Sequence, residues 1–351
     1  MGIEKTTVEK FVALSQQHPV IDVRSEGEYN HAHIPGAYNL PLFNDEERKV
    51  VGTIYKQQSR EAAIKRGLDF FGPKMSRMIS FIEQLKEKNQ STDKTVLLHC
   101  WRGGMRSGGV AWLLDLYGFK VYTLIGGYKS FRNWVLDSFR KDWKFNILGG
   151  YTGSGKTIIL EALKEKGEAV IDLEGIAGHK GSAFGRIGLP AQDSVEMFEN
   201  KLAFELYKTS EEIPNKCIWL EDESQRIGSV SIPHDIWDTI RENNIFFIDV
   251  PFESRLEYLV ETYGILDKVE LCEAIKRIEK KLGGLETKTA IAFLQDNNTK
   301  ECFSILLKYY DKLYKKSLEK RENLKELLKE IKSLTTDRDI NANLILKHKY
   351  E

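Results

Sequence analysis

The run Lys144-Phe145-Asn146-Ile147-Leu148-Gly149 leads straight into Gly150-Tyr151-Thr152-Gly153-Ser154-Gly155-Lys156-Thr157, and Ile158 to Lys166 continues with helical spacing. An apolar run, a glycine-rich turn closing on Lys-Thr and an amphipathic continuation leave few options: the chain folds here as strand, loop and helix. Glycines let successive backbone N–H groups turn toward a polyphosphate, Lys156 neutralises its outer oxygens, and Thr157 is placed to hold Mg²⁺. The expected phosphate-binding residues are therefore Gly150, Gly153, Ser154, Gly155, Lys156 and Thr157.

Around this motif, Ala169 to Asp172, Cys217 to Asp222 and Ile245 to Val250 read as further parallel strands, two of them ending in carboxylates. Alternation with helices predicts a doubly wound α/β sheet whose ligands sit at the strand C-termini. Glu221 and Asp222 are then Mg²⁺ candidates or caps of a following helix, and Asp172 and Arg226 are supporting residues of the same site. The stretch His179 to Arg186 joins basic groups, glycines and Phe184, a composition for a loop that meets phosphate or a flipped base, or for a plain surface loop. From Leu256 onward the period is helical. Ile305 to Leu334 interleaves lysines and Arg321 with Tyr309, Tyr310 and Tyr314, as a solvated face or an RNA-binding one.

The first part of the chain carries a second loop. Thr95 to His99 reads as a strand that delivers Cys100, and Ser107 to Tyr117 as a helix. Between them lie Trp101, Arg102, Gly103, Gly104, Met105 and Arg106. A thiol between a strand end and a helix start meets converging N–H groups and the positive end of the helix dipole, which favour the thiolate. Arg102 and Arg106 add positive charge, and Gly103 and Gly104 let the loop curl around an anion. Cys100 is thus the expected nucleophile. Upstream, Val20 to Arg24 reads as a short buried strand, and Ser25 with Glu28 as a capping box. Lys74 to Lys88 is expected to be helical. Asn44 to Lys56 is a solvated helix face or a lid carrying Arg48, Lys56 and Arg60 toward substrate. His31 and His33 belong to a turn and not to a metal site.

At 351 residues, with Lys+Arg and Asp+Glu equal at 52, the chain suits two domains at roughly 150 residues each and has no global field to draw it onto nucleic acid or membrane. RNA contact must come from local patches. Met-Gly-Ile-Glu-Lys-Thr fits a loose myristoylation pattern, but the start lacks an apolar signal core and no run reaches the ~20 apolar residues of a membrane span. The four cysteines form no Cys-x-x-Cys pair. Cys217, Cys272 and Cys302 read as core-filling, as befits a reducing cytoplasm.

Asp22-Val23-Arg24, Glu28-Tyr29, His33-Ile34-Pro35-Gly36-Ala37 and Cys100 with its loop to Ser107 resemble a rhodanese domain over roughly residues 5 to 135. Cys-Trp-Arg-Gly-Gly-Met-Arg-Ser, the downstream P-loop and the segments Asp172-Leu173-Glu174-Gly175, Gly181-Ser182-Ala183-Phe184-Gly185 and Glu221-Asp222-Glu223-Ser224 resemble the bacterial tRNA 2-selenouridine synthase family over nearly the whole chain. The resemblance implies an α/β protein: a rhodanese-like domain at 1–138, then a P-loop NTPase-like doubly wound parallel sheet domain at 139–351 with a helical C-terminal region. It implies exchange of sulfur for selenium at position 2 of a wobble uridine in the tRNA anticodon. Selenophosphate and geranyl diphosphate would be co-substrates, with the geranylated sulfur as leaving group. Cys100 would serve the selenium step, as carrier or as the nucleophile that removes the geranyl thiol, and the P-loop would grip diphosphate. The selenophosphate-producing enzyme becomes an expected partner. The alternative is a rhodanese-type sulfurtransferase fused to an ATP-dependent kinase-like domain.

Overall fold

The computed structural model describes residues 2–90 and 92–350. The chain divides into two compact units, the first ending at Ser138 and the second beginning at Phe139.

In the first unit, strands β1 (Ile3–Thr6), β2 (Val20–Asp22), β3 (Tyr38–Asn39), β4 (Thr95–His99) and β5 (Lys120–Leu124) form one parallel sheet in the order β1-β5-β4-β2-β3. The helices are α1 (Val8–Ser15), α2 (Glu26–His31), α3 (Asp45–Gln57), α4 (Arg60–Phe71), α5 (Met75–Lys88), α6 (Met105–Tyr117) and α7 (Gly127–Ser138). β4 is buried at every position, as a central parallel strand covered on both faces requires. Met78, Ile82 and Leu85 line the inward stripe of α5 and pack with Val96, Leu98, Val110 and Leu114. Ser25 starts α2 as expected, its N–H donating to Glu28 Oε2 at 3.2 Å.

The second unit is built on β6 (Phe145–Gly150), β7 (Ile218–Glu221), β10 (Ile245–Asp249) and β11 (Leu328–Lys332), parallel in the order β11-β10-β6-β7; a two-stranded hairpin, β8 (Arg226–Ile227) with β9 (Val230–Ser231), follows β7. Helices α8 (Lys156–Glu165), α9 (Leu173–Ala177), α10 (Val195–Glu212) and α11 (His234–Glu242) accompany the sheet. A helical region follows: α12 (Phe252–Tyr263), α13 (Lys268–Arg277), α14 (Glu279–Leu282), α15 (Gly284–Gln295), α16 (Thr299–Leu318) and α17 (Leu324–Leu327), with α18 (Arg338–Tyr350) after β11. It has its own core, where Leu256, Leu271, Ile275 and Leu294 meet Cys302, Leu306 and Leu307. Cys302 is buried there and Cys272 packs against it, in the core-filling role read for both; Cys217 is half-buried just before β7.

The α/β reading holds, with three corrections. Ala169 to Asp172 is not a full strand: it makes one parallel bridge, Val170 to Trp219, before Asp172 caps α9 by accepting the Gly175 N–H at 2.8 Å. The chain turns into a helix too soon for a ladder to grow. Glu221 and Asp222 cap no helix, because the β8–β9 hairpin follows them. The stretch to Leu334 is not helical throughout, since α16 stops at Leu318 and residues 328–332 form the edge strand β11. There only Ile331 is fully buried among Lys329, Glu330 and Lys332. Charges on an edge strand are ordinary protection of its open side, and their helix-favouring types hide the period of two.

Candidate functional sites

β4 ends at His99, and the loop it feeds rises over the N-terminus of α6, whose first residues follow Gly104. Cys100 is 3% exposed, with its Sγ 3.3 Å from Ser107 Oγ. Burial pushes the thiol up. The Ser107 hydroxyl, the backbone groups of Ser107 and Gly104 and the charge of Arg106 outweigh it, so the net shift is downward. Gly103 has φ +64°, and its backbone is held against the β5–α7 turn. A Cβ on Gly127 would sit 2.3 Å from the Cys100 carbonyl oxygen and 2.4 Å from the Gly103 nitrogen. Only glycine fits, and Tyr128 and Lys129 then donate their N–H groups to the carbonyls of Cys100 and Trp101 at 2.8 and 3.0 Å. Gly126-Gly127 was visible in the sequence, but only the fold reveals what it touches.

Beneath the loop, Arg24 is buried and forked onto Asp22, 2.6 Å from Nη2 to Oδ2, and its guanidinium lies 3.8 Å from the Tyr128 ring centre. Trp101 reaches over the same guanidinium at 5.9 Å. His99 stands 3.7 Å from Asp22, too far for a hydrogen bond; burial pushes its imidazole down to about 4, so it is neutral at physiological pH. Arg106 donates to Glu28 Oε2 at 2.7 Å and Arg48 to the same oxygen at 2.9 Å, while Arg102 is exposed. His33 stacks on Tyr29 at 3.9 Å and its Nδ1 lies 2.9 Å from the Tyr29 carbonyl, a turn contact as read.

In the second unit, Gly150, Gly153 and Gly155 have φ of +159°, +81° and +77°. Gly153 needs its lack of a side chain, since a Cβ would lie 2.9 Å from the Arg255 carbonyl oxygen. Arg255 is buried, grips Asp311 with two 2.8 Å bonds and donates to the Thr152 carbonyl at 3.0 Å, so it braces the loop from α12. Lys156 Nζ lies 3.2 Å from the Gly150 carbonyl oxygen. Ser154 Oγ is buried without a hydrogen-bond partner inside the loop.

The acidic residues divide. Asp222 is committed to structure: Arg321 pairs with one oxygen and Tyr314 donates to the other at 2.7 Å. Arg321 is thereby buried and is no part of a solvated basic face. Glu221 is buried and accepts the Glu174 N–H at 2.9 Å, leaving Oε2 unpartnered, and Thr157 Oγ1 donates to Glu174 at 3.4 Å. The Gly181 position fits between Glu174 and Glu223, whose oxygens would each lie 2.5 Å from a Cβ there. Burial, reinforced by the neighbouring carboxylates, raises Glu174 to about 8 and Glu221 well above the usual range; burial also raises Glu223, against the pull of Lys156. Glu174 and Glu223 were not singled out from the sequence, although both lie in the segments that carried the resemblance. Asp172 is occupied as a helix cap and Arg226 by the Gly228 carbonyl at 3.0 Å. Lys180 and Arg186 are exposed, while Phe184 is buried and Tyr310 accepts the Ala183 N–H at 3.2 Å, anchoring that loop to α16.

Among the described residues no three His, Cys, Asp or Glu side chains are gathered so as to hold a metal ion alone, and no helix is long and apolar enough to cross a membrane. Residues 7–133 match the family model of the rhodanese-like domain, and residues 143–336 that of the tRNA 2-selenouridine synthase AAA domain. A tRNA 2-selenouridine synthase of Sulfurovum sp. (strain NBC37-1) is 33% identical, the match covering 86% of this chain and 89% of that one. Others from Shewanella sediminis (strain HAW-EB3) and Bdellovibrio bacteriovorus (strain ATCC 15356 / DSM 50701 / NCIMB 9529 / HD100) are 34% and 32% identical, over 87% and 92% of this chain and 89% and 94% of theirs. With one family model spanning more than half of its length and such identity along most of the rest, this chain belongs to the tRNA 2-selenouridine synthase family.

Proposed function

We propose that this protein converts 2-thiouridine at the wobble position of tRNA into 2-selenouridine, with selenophosphate as selenium donor and through an S-geranyl intermediate made from geranyl diphosphate. The observation that carries the reading is the presence in one chain of a thiol whose pKa is lowered by its loop neighbours and of a glycine-rich strand–loop–helix turn closing on Lys156-Thr157. In the first step the sulfur on C2 attacks the first carbon of the geranyl group and diphosphate leaves. Lys156 and the N–H groups of residues 153–157 stabilise the charge that develops on the bridging oxygen.

In the second step the geranyl thioether is the leaving group. Selenophosphate carries selenium already fully reduced, so loading it on Cys100 as a perselenide would require an oxidant. Electron balance therefore favours Cys100 as nucleophile. Its thiolate sulfur bonds to C2 while the geranyl thiolate departs and takes a proton from solvent; selenium then bonds to C2, Cys100 leaves as thiolate, and water opens the P–Se bond to give phosphate, its proton replacing at N3 the one lost to solvent on geranylation. A thiolate of lowered pKa serves both as attacking and as leaving group.

Mg²⁺ fits the hard oxygens near the P-loop only in company with the substrate: Thr157 and Glu174 would hold it, with diphosphate oxygens and water filling its remaining positions. Bound there it would offset charge on the diphosphate and on the crowded carboxylates. Arg48, Lys56, Lys180 and Arg186 are the proposed tRNA contacts, and the enzyme that makes selenophosphate is the proposed partner, all in the cytoplasm. The kinase-like alternative draws no support from the relatives' names.

Mass spectrometry of wobble nucleosides from cells lacking the gene, and from the same cells given it back, tests the reading. Wild type restores 2-selenouridine, Cys100→Ala accumulates S-geranyl-2-thiouridine, and Lys156→Ala leaves 2-thiouridine. Normal 2-selenouridine in the deletion strain overturns the assignment.

A further inference from the structure

Helices α3 and α4 of the first unit form one wall of a cleft of about 1130 Å³, and the start of α6, directly after the Cys100 loop, forms another. That volume is beyond what an ion or a phosphate needs and is the scale of a site enclosing a sizeable organic ligand. Its lining is unusual for a surface. Tyr55, Ile64, Leu68, Met105 and Trp112 all face it, and they are 37% to 57% exposed. Large apolar side chains scattered singly need no explanation, but five gathered in one concavity mark a binding surface.

The same cleft is also lined by cations. Lys49, Lys56 and Arg102 line the cleft and make no ion pair among the described residues, while Arg48 and Arg106 are shared with Glu28. The acidic lining residue, Asp45, is occupied by the Gly27 N–H at 3.0 and 3.2 Å. A lining that offers both large apolar side chains and cations outside any ion pair fits an uncharged hydrocarbon chain joined to a polyanion. Neither a bare anion nor a neutral hydrocarbon alone uses both parts.

We infer that this cleft beside the Cys100 loop holds the geranyl chain of S-geranylated tRNA during the selenium step, with the adjoining phosphates on its lining cations Lys49, Lys56 and Arg102. The inference rests on the function proposed above and adds a site to it. Seating the chain here would bring the C2–S bond to the Cys100 loop and would select geranylated tRNA over its 2-thiouridine precursor, which has no hydrocarbon chain to set against Tyr55, Ile64, Leu68, Met105 and Trp112.

Gly52 offers a direct test. It lies on α3 in the cleft wall, and a Cβ there would meet nothing within 4 Å, so Gly52→Leu can start a side chain from open space, puts apolar bulk into the cleft and replaces a poor helix former with a good one. Leu68→Gln removes apolar surface from an already exposed position. The full-length protein is titrated with free S-geranyl-2-thiouridine, with 2-thiouridine as comparison, following tryptophan fluorescence because Trp112 lines the site. Wild type should prefer the geranylated nucleoside, and both variants should lose roughly tenfold or more of that affinity, as expected when two or more chain carbons lose their apolar wall. Melting temperatures at or above wild type for Gly52→Leu would show that folding is intact. Equal affinity in all three proteins, or no binding by a wild type that still selenates geranylated tRNA, overturns the cleft and leaves the proposed function standing. A wild type unable to use geranylated tRNA overturns the function itself.

Discussion

Tyr314 donates its hydroxyl to Asp222 at 2.7 Å, and the same phenol oxygen accepts the Gly150 N–H at 3.2 Å. The carboxylate at the end of β7 thus acts on the phosphate loop through an aromatic ring of α16. Tyr314→Phe leaves the Gly150 N–H and one Asp222 oxygen without their partner, so it should cost about 1–3 kcal/mol. A lower melting temperature together with weaker inorganic diphosphate binding is the expected result. Unchanged diphosphate affinity would show that the loop keeps its shape without this brace.

Ser107 should control the ionisation of Cys100. Its hydroxyl is the largest of the influences that pull the thiol down against burial. Ser107→Ala should move the thiolate titration, read by ultraviolet absorbance, to higher pH. Selenation at neutral pH should fall and recover as pH rises, because the thiolate fraction is what limits it.

The carboxylates near the P-loop should make the ligand-free protein less stable as pH rises. Glu174 is raised from an ordinary 4.5 to about 8, so between those values the folded chain binds a proton that the unfolded chain does not. The stability slope is therefore negative across that window. Melting curves from pH 5 to 8 should show the decline, and Glu221→Gln should flatten it by removing a second carboxyl that burial and its neighbours hold well above the usual range. A melting temperature that rises over this range would contradict the crowding.

Binding of tRNA by a chain with no net charge should depend on a few local cations. Lys180 and Arg186 are exposed on a loop that Phe184 and Tyr310 anchor, whereas Lys312 and Lys316 stand on a helix shared with acidic residues. Each true phosphate contact contributes about −0.7 to −0.9 to the salt slope. Lys180→Ala and Arg186→Ala should flatten the slope more than Lys312→Ala and Lys316→Ala; the reverse order would move the contact to α16.

Both loops were legible because their chemistry is local: a nucleophile or a lysine, its glycines and the flanking strand and helix all lie within about fifteen residues of sequence. What stayed hidden depends on distant partners. Asp222 reads as a metal ligand until Arg321 and Tyr314, roughly a hundred residues away, are seen to occupy it. Glu174 and Glu223 come together only when β7 and α9 are placed side by side. Lys329-Glu330-Ile331-Lys332 has helix-favouring residues, and pairing with β10 overrides them. Asn44 to Lys56 reads as a solvated face or a lid, and it is a helix whose cleft side is both cationic and apolar.

The position of β11 in chain order has a consequence for synthesis. All five strands of the first sheet have been translated by Leu124, so that unit can mature while the ribosome is still making the rest. The second sheet must wait, because its edge strand lies at 328–332 and the residues that lock its phosphate loop, Asp311, Tyr314 and Arg321, come almost as late. A nascent chain should therefore acquire its thiol site well before its diphosphate site. Premature termination before Asp311 would release a chain that has every strand of the first sheet but lacks the residues that lock its phosphate loop.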